Sequence, residues 1–201
     1  MSQEAFTMKD AHEIIASGAA YNTTALNAPM GLLVEAMFKE EVFEDLDDTL
    51  AATIKQGYYN AVATAGSAGI DLRYVGAKPL DIKPGEQALV STGLAIYLKD
   101  PRFVGMMFPR SGLGNKGLVL GNLTGIIDSD YQNEIKVSLW NRHHPTALFE
   151  EYVAKCITIE PGERIAQYLV VKRFALNFQF VDAFSEETER GLGGFGSTGR
   201  V

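Results

Sequence analysis

A single cysteine, Cys156, occurs in 201 residues, so the chain cannot close an internal disulfide. A reducing, cytoplasmic setting is expected. No apolar run is long enough to span a bilayer. The opening residues, MSQEAFTMKDAHEII, lack the basic start and apolar core of a signal peptide. Lysine and arginine form no block or stripe, and the formal net charge is -7. Both features argue against a nucleic-acid partner. A small anionic substrate stays open, provided that a few arginines converge and a cation helps. Hydrophobic residues make up 46% and charged residues 21%, the balance of a globular chain. Its length allows one sizeable core, with or without an appendage.

The texture changes near residue 60. Before it, Val42, Leu46, Leu50 and Ile54 recur every four residues with Glu44, Asp45, Asp47 and Asp48 between them, a helical pattern. Residues 6–17 predict a second short helix. After residue 60, short apolar runs alternate with Gly, Pro, Asn and Asp. Strands are expected over 70–75, 88–98, 103–108, 134–140, 154–159 and 165–171. The clearest is 134–139, which alternates polar and apolar with period two. Many short strands without helical crossovers predict an all-β sandwich, jelly roll or barrel. Residues 1–60 are read as a partly helical N-terminal extension, 61–189 as the β core and 190–201 as a Gly-rich tail.

Gly191, Gly193 and Gly196 satisfy G-x-G-x-x-G, but only five residues follow Gly196, too few for the helix that a dinucleotide site requires. A Rossmann site is rejected. A plain unstructured tail is the simplest reading of the composition. Against it, Phe195 is flanked by Arg190, Ser197, Thr198 and Arg200. Arginine and hydroxyls suit phosphate, an aromatic stacks on a base, and glycine lets backbone approach a ligand. Four other clusters stand out. Ala65-Gly66-Ser67-Ala68-Gly69-Ile70-Asp71 is a small-residue turn entering a strand. Phe108-Pro109-Arg110-Ser111-Gly112-Leu113-Gly114 offers a guanidinium, a hydroxyl and backbone N–H groups. Gly125-Ile126-Ile127-Asp128-Ser129-Asp130-Tyr131 sets two carboxylates beside an aromatic. Pro161-Gly162-Glu163-Arg164-Ile165-Ala166-Gln167 is a turn entering a strand. Each alone is explained as readily by an ordinary surface turn, and Arg164 by a structural salt bridge.

In order, the five clusters resemble the five motifs of the homotrimeric dUTPase family, over roughly residues 61–201. The stretch from Asn122 to Tyr131 resembles the bacterial form. The resemblance implies a distorted jelly roll or β-barrel, assembled as a trimer with shared active sites. One subunit would supply the first, second and fourth motifs, another the third, and the remaining one a C-terminal lid.

It also implies roles. Asp128 would be the general base for the water that attacks the α-phosphorus of dUTP. Tyr131 would pack under the deoxyribose and exclude UTP, and Asn122 would hydrogen-bond the uracil. Arg110, Ser111, Gly112 and Gln167 would position the phosphates. Asp71 would hold Mg2+, through water rather than directly. Arg190, Gly196, Ser197 and Thr198 would close on the γ-phosphate, with Phe195 stacked on the base. Hydrolysis to dUMP and pyrophosphate would keep uracil out of DNA and supply dUMP for dTTP synthesis.

Some residues depart from the family pattern. Asn115-Lys116-Gly117 is one residue short, and Asn133 stands where glycine is usual. Residues 142–152 read as an inserted, solvated loop; its His143-His144 pair has no further metal-ligand cluster beside it. Residues 32–38 read either as the family's first strand, followed by a helical insertion, or as part of an added helical arm. The apolar face of that region is expected against the trimer or a protein partner. Two rivals remain: a dCTP deaminase on the same fold, whose catalytic glutamate would align with Ser138, and a regulatory module binding a nucleotide or protein.

Overall fold

The computed structural model describes residues 34–59, 62, 64, 66–191 and 193. The expected helix at 6–17 and the tail residues Phe195, Gly196, Ser197 and Thr198 lie outside them. Strand β1 (Glu35–Phe38) pairs with β5 (Leu94–Tyr97), so the end of the 32–38 segment is a strand followed by a helical insertion. That insertion holds a 3-10 turn (Glu40–Val42) and helix α1 (Asp48–Tyr59). The helix starts later than the four-residue repeat predicts. The Asp47 carboxylate accepts hydrogen bonds from the Thr49 and Leu50 N–H groups, both at 3.0 Å, and so caps it. Val42 and Leu46 precede the cap yet still face inward. Ile54 and Tyr58, one turn apart, are buried in the core of the same chain. The apolar face of α1 is therefore covered by the core of its own chain.

The remaining strands are all antiparallel: β2 (Ile70–Arg73), β3 (Leu80–Ile82), β4 (Gln87–Val90), β6 (Phe103–Pro109), β7 (Leu118–Leu120), β8 (Gly125–Ile127), β9 (Val137–Asn141), β10 (Ile157–Ile159) and β11 (Arg164–Lys172). They form a four-stranded sheet, β2-β11-β6-β8, a three-stranded sheet, β4-β9-β7, and the pairs β1-β5 and β3-β10. Leu72, Ile82, Met107, Leu120, Leu139 and Ile165 fill the space between them. This is the expected all-β, jelly-roll-like arrangement, although among the described residues no sheet closes into a barrel. Among them, too, no helix is long and apolar enough to cross a membrane.

Three expectations change. The run 88–98 is two strands, broken at Ser91–Thr92–Gly93, where Gly93 takes φ +66° and the Phe43 ring leaves no room for a Cβ. The alternating run 134–140 joins its sheet only from Val137 onward. Its first residue, Glu134, instead bridges Ala95. The inserted segment is not all loop, because α3 (Phe149–Ala154) lies in and just beyond it. A shorter helix, α2 (Ser111–Asn115), follows β6. His143 covers the turn at 115–117: its Nε2 sits 2.9 Å from the Lys116 carbonyl, against Gly117 at φ +97°.

Candidate active site

Strand register gathers three of the five motifs at one end of the four-stranded sheet. Asp71 on β2 stands opposite Gln167 on β11, and Gln167 stands opposite Phe108 on β6. The Gln167 side-chain amide donates to the Pro109 carbonyl at 3.0 Å. Arg110 follows at the end of β6. Its Nε lies 2.9 Å from one Asp71 carboxylate oxygen, and an Arg164 amino group lies 3.1 Å from the other. Arg110 also donates to the Arg164 backbone carbonyl at 3.1 Å. Two guanidiniums thus share one carboxylate, and a local positive charge results in an acidic chain. Ser111 and Gly112 are exposed at the start of α2. A Cβ at Gly112 or Gly114 would meet nothing within 4 Å, so neither glycine is forced by packing within this chain. Open backbone beside a cationic cluster suits phosphate oxygens.

Arg164 makes the structural salt bridge expected of it, to Asp71. Asp71 is committed to guanidiniums, so a metal ion held directly by it would have to displace one. Among the described residues no group of three or more His, Cys, Asp or Glu side chains converges as a metal site, His143-His144 included. A single carboxylate fits magnesium that keeps its waters and binds chiefly to substrate phosphates.

Asp128 and Tyr131 lie elsewhere. Ile127 on β8 is opposite Gly105 on β6, so Asp128 falls level with Val104. Six residues of extended strand separate that position from Arg110, roughly 20 Å. Asp128 is exposed, and its carbonyl accepts from the Tyr131 N–H at 3.2 Å. At the other end of β8, Asn122 occupies the exposed turn from β7, closed by Leu123 N–H to Leu120 carbonyl (3.0 Å). Leu123 has φ +62°, a conformation uncommon for leucine, and its side chain is exposed. Such strain clusters at binding sites. Asn133, by contrast, is not among the positive-φ residues; its side chain accepts from the Glu134 N–H at 2.8 Å. Ser138 on β9 lies beneath the same turn. A Cβ on Gly121 would come within 2.7 Å of its Oγ, so the close approach of Ser138 requires glycine at 121.

Arg190 is described, with its Nε donating to the Gly193 carbonyl at 3.1 Å. Sequence reasoning missed the segment before it. Residues 173–181 carry no regular secondary structure, and Phe174, Leu176, Phe178 and Phe180 recur at every second position, with the Phe178 and Phe180 rings stacked 6.3 Å apart. All four are exposed, Phe180 by 94%. The period-two signal was there to be read. An open cleft of about 450 Å³ runs along β1 and β5, between Met37, Ile96 and Gln132, next to Tyr131.

The dUTPase family model matches residues 56–199. The deoxyuridine 5'-triphosphate nucleotidohydrolase of Acinetobacter baumannii is 52% identical over 139 residues, 69% of this chain and 85% of that protein. The protein of that name from Burkholderia multivorans is 53% identical over 144 residues, 71% and 90% of the two chains. Among solved structures, the dUTPase of Staphylococcus bacteriophage 80alpha with dUPNHPP superposes at a TM-score of 0.67, covering 85% of this chain and 100% of its own. At 24% identity that likeness concerns the fold.

Proposed function

The chain belongs to the dUTPase family, and we propose that it hydrolyses dUTP to dUMP and pyrophosphate as a magnesium-dependent homotrimer with shared active sites. One observation carries the shared site. A single chain holds a phosphate-binding half (Asp71, Arg110, Ser111, Gly112, Gln167) at one end of β6 and Asp128 with Tyr131 at the other, Asn122 lying on the turn before β8. Neither half is complete, and a neighbouring copy supplies the other.

In the joined site, Asn122 and the strained turn read the uracil, and Tyr131 lies under the deoxyribose. Asp128 takes a proton from water as its oxygen bonds to the α-phosphorus. The bond from the α-phosphorus to the bridging oxygen breaks, and pyrophosphate leaves. Arg110, Ser111 and Gln167 orient the phosphate chain, and Asp71 holds magnesium through water. Magnesium, when bound there, would supply charge neutralisation for the leaving pyrophosphate. Arg190, Gly196, Ser197 and Thr198 close over the γ-phosphate with Phe195 on the base. A reducing, cytoplasmic setting fits the free Cys156.

Assembly follows from the apolar arm. Exposed Phe174, Leu176, Phe178 and Phe180 need cover. The outer edge of β1, paired only with β5 among the described residues, and the cleft beside it on a neighbouring copy offer it. Each phenylalanine so buried contributes about 1.5–3 kcal/mol. Changing Phe178 and Phe180 together to Ser is expected to shift the sedimenting species from trimer to monomer. A trimer that persists at micromolar concentration would exclude this docking.

The function is tested by incubating the protein with magnesium and either dUTP or dCTP. Pyrophosphate from dUTP, with no ammonia from dCTP, is expected. Ammonia would support the deaminase, against which stands a serine, Ser138, where its catalytic glutamate is expected. No product from either nucleotide would leave a binding protein.

A further inference from the structure

A buried hydrogen-bond network connects the added helix α1 to Tyr131. The family model meets α1 only at its last turn. There the Tyr58 hydroxyl donates to the Thr92 carbonyl at 2.9 Å and accepts from the Arg73 N–H at 2.9 Å. Thr92 is wholly buried and marks the break between β4 and β5. On its far side, one Glu134 carboxylate oxygen accepts from the Thr92 N–H at 3.1 Å and the Gly93 N–H at 2.9 Å. The Thr92 hydroxyl donates to the Ile135 carbonyl at 2.5 Å, and the Ile135 N–H donates to the Leu94 carbonyl at 2.8 Å. Residues 134–135 are therefore pinned to 92–94 from both backbone and side chain. The Glu134 carbonyl, held in place this way, accepts the Tyr131 hydroxyl at 2.9 Å.

Glu134 is itself only 6% exposed, unusual for a carboxylate. Its other oxygen lies 3.5 Å from the Ser91 hydroxyl and 3.6 Å from the Lys136 ammonium. Nothing in the chemistry of hydrolysis uses this group. Two backbone N–H donors that would otherwise be buried without partners account for its presence. The left-handed turn at Gly93 accounts for their convergence.

We infer that Glu134 is a positioning residue for Tyr131, and that Tyr58 of α1 braces the turn through which Glu134 acts. The inference rests on the dUTPase reading, in which Tyr131 sets the choice of sugar. A ring fixed at its hydroxyl end leaves a 2′-hydroxyl no room; a loose ring yields to it. Glu134 and Tyr58 thus govern discrimination between dUTP and UTP without touching either.

The test measures kcat/KM for dUTP and UTP in the full-length protein. Wild-type turnover of dUTP comes first; its absence would sink the functional reading and not this one. Glu134→Ala, checked for a folded trimer, is expected to lower the dUTP-to-UTP ratio by about tenfold, the effect of one lost buried hydrogen-bonded support. Glu134→Gln keeps an oxygen facing both N–H groups and is expected to restore the ratio to within about twofold. Tyr131→Phe removes the tether directly. In that background Glu134→Ala should lower the ratio no further, because two changes on one path are not additive. If Glu134→Ala does not fold, Tyr58→Phe, which removes only a hydroxyl, serves in its place with the same expected direction. An unchanged ratio in the folded variant, or an equal loss with and without the Tyr131 hydroxyl, overturns the proposal.

Discussion

Asp128→Asn is expected to lower kcat for dUTP by about a thousandfold, within the range that a positioned general base contributes, while KM changes little. An amide fits the same space but cannot take a proton from the attacking water. The substitution should leave the fold alone, because Asp128 is exposed and its contribution to the turn is main-chain, the carbonyl that accepts the Tyr131 N–H. It also removes one of two carboxylates in the segment Asp128-Ser129-Asp130, and the remaining Asp130 is exposed as well. Binding of an unhydrolysable dUTP analogue should therefore persist or tighten, since a negative charge facing a triphosphate has been lost. Steady-state pyrophosphate release and calorimetric titration with the analogue separate the two effects. A kcat within about tenfold of wild type would show that another group activates the water.

Which parts were legible in the sequence follows from how local their causes are. The strand at 165–171 was visible because its apolar residues are its own, and β11 extends it by only one residue at each end. The break at 91–93 was not, because the run 88–98 is apolar throughout most of its length. What bends it is Glu134, 41 residues from Gly93 in sequence, together with the Phe43 ring. Periodicity makes Glu134 the first residue of an alternating strand for the same reason: its role depends on a partner that periodicity does not reveal. The start of α1 was local and still mistaken. Asp47 followed by Thr49 and Leu50 is a capping signal, but the repeat from Val42 onward masked it. The apolar alternation from Phe174 to Phe180 was equally local. It satisfies no sheet of its own chain, so a search for core strands ends at β11 and misses it. The site itself was legible only through resemblance. Nothing in the spacing of Asp71, Arg110 and Gln167 places them together; the pairing of β2, β11 and β6 does.

The separation of the two half-sites has a consequence that no single variant can show. Arg110→Ala removes the guanidinium that pairs with Asp71, and in its own trimer it should be nearly inactive. Asp128→Asn trimers should be nearly inactive too. Unfolding the two variants together in equal amounts and refolding them is expected to recover activity, to about a quarter of wild type when subunits associate at random and each site takes one half from each of two neighbours. The figure follows because a site works only where the neighbour giving Asp128 carries the Arg110 change and the neighbour giving Arg110 carries the Asp128 change. If both halves of a site came from one chain, no mixture could contain an intact site, and activity would stay at the level of the separate variants. The outcome therefore distinguishes cooperation between chains from a rearrangement that folds β8 back onto the Arg110 end of its own sheet. The register of Gly105 opposite Ile127 makes such a rearrangement costly, since every hydrogen bond between β6 and β8 would have to break. Recovery on mixing, with none when either variant is refolded alone, is the result that the strand pairing predicts.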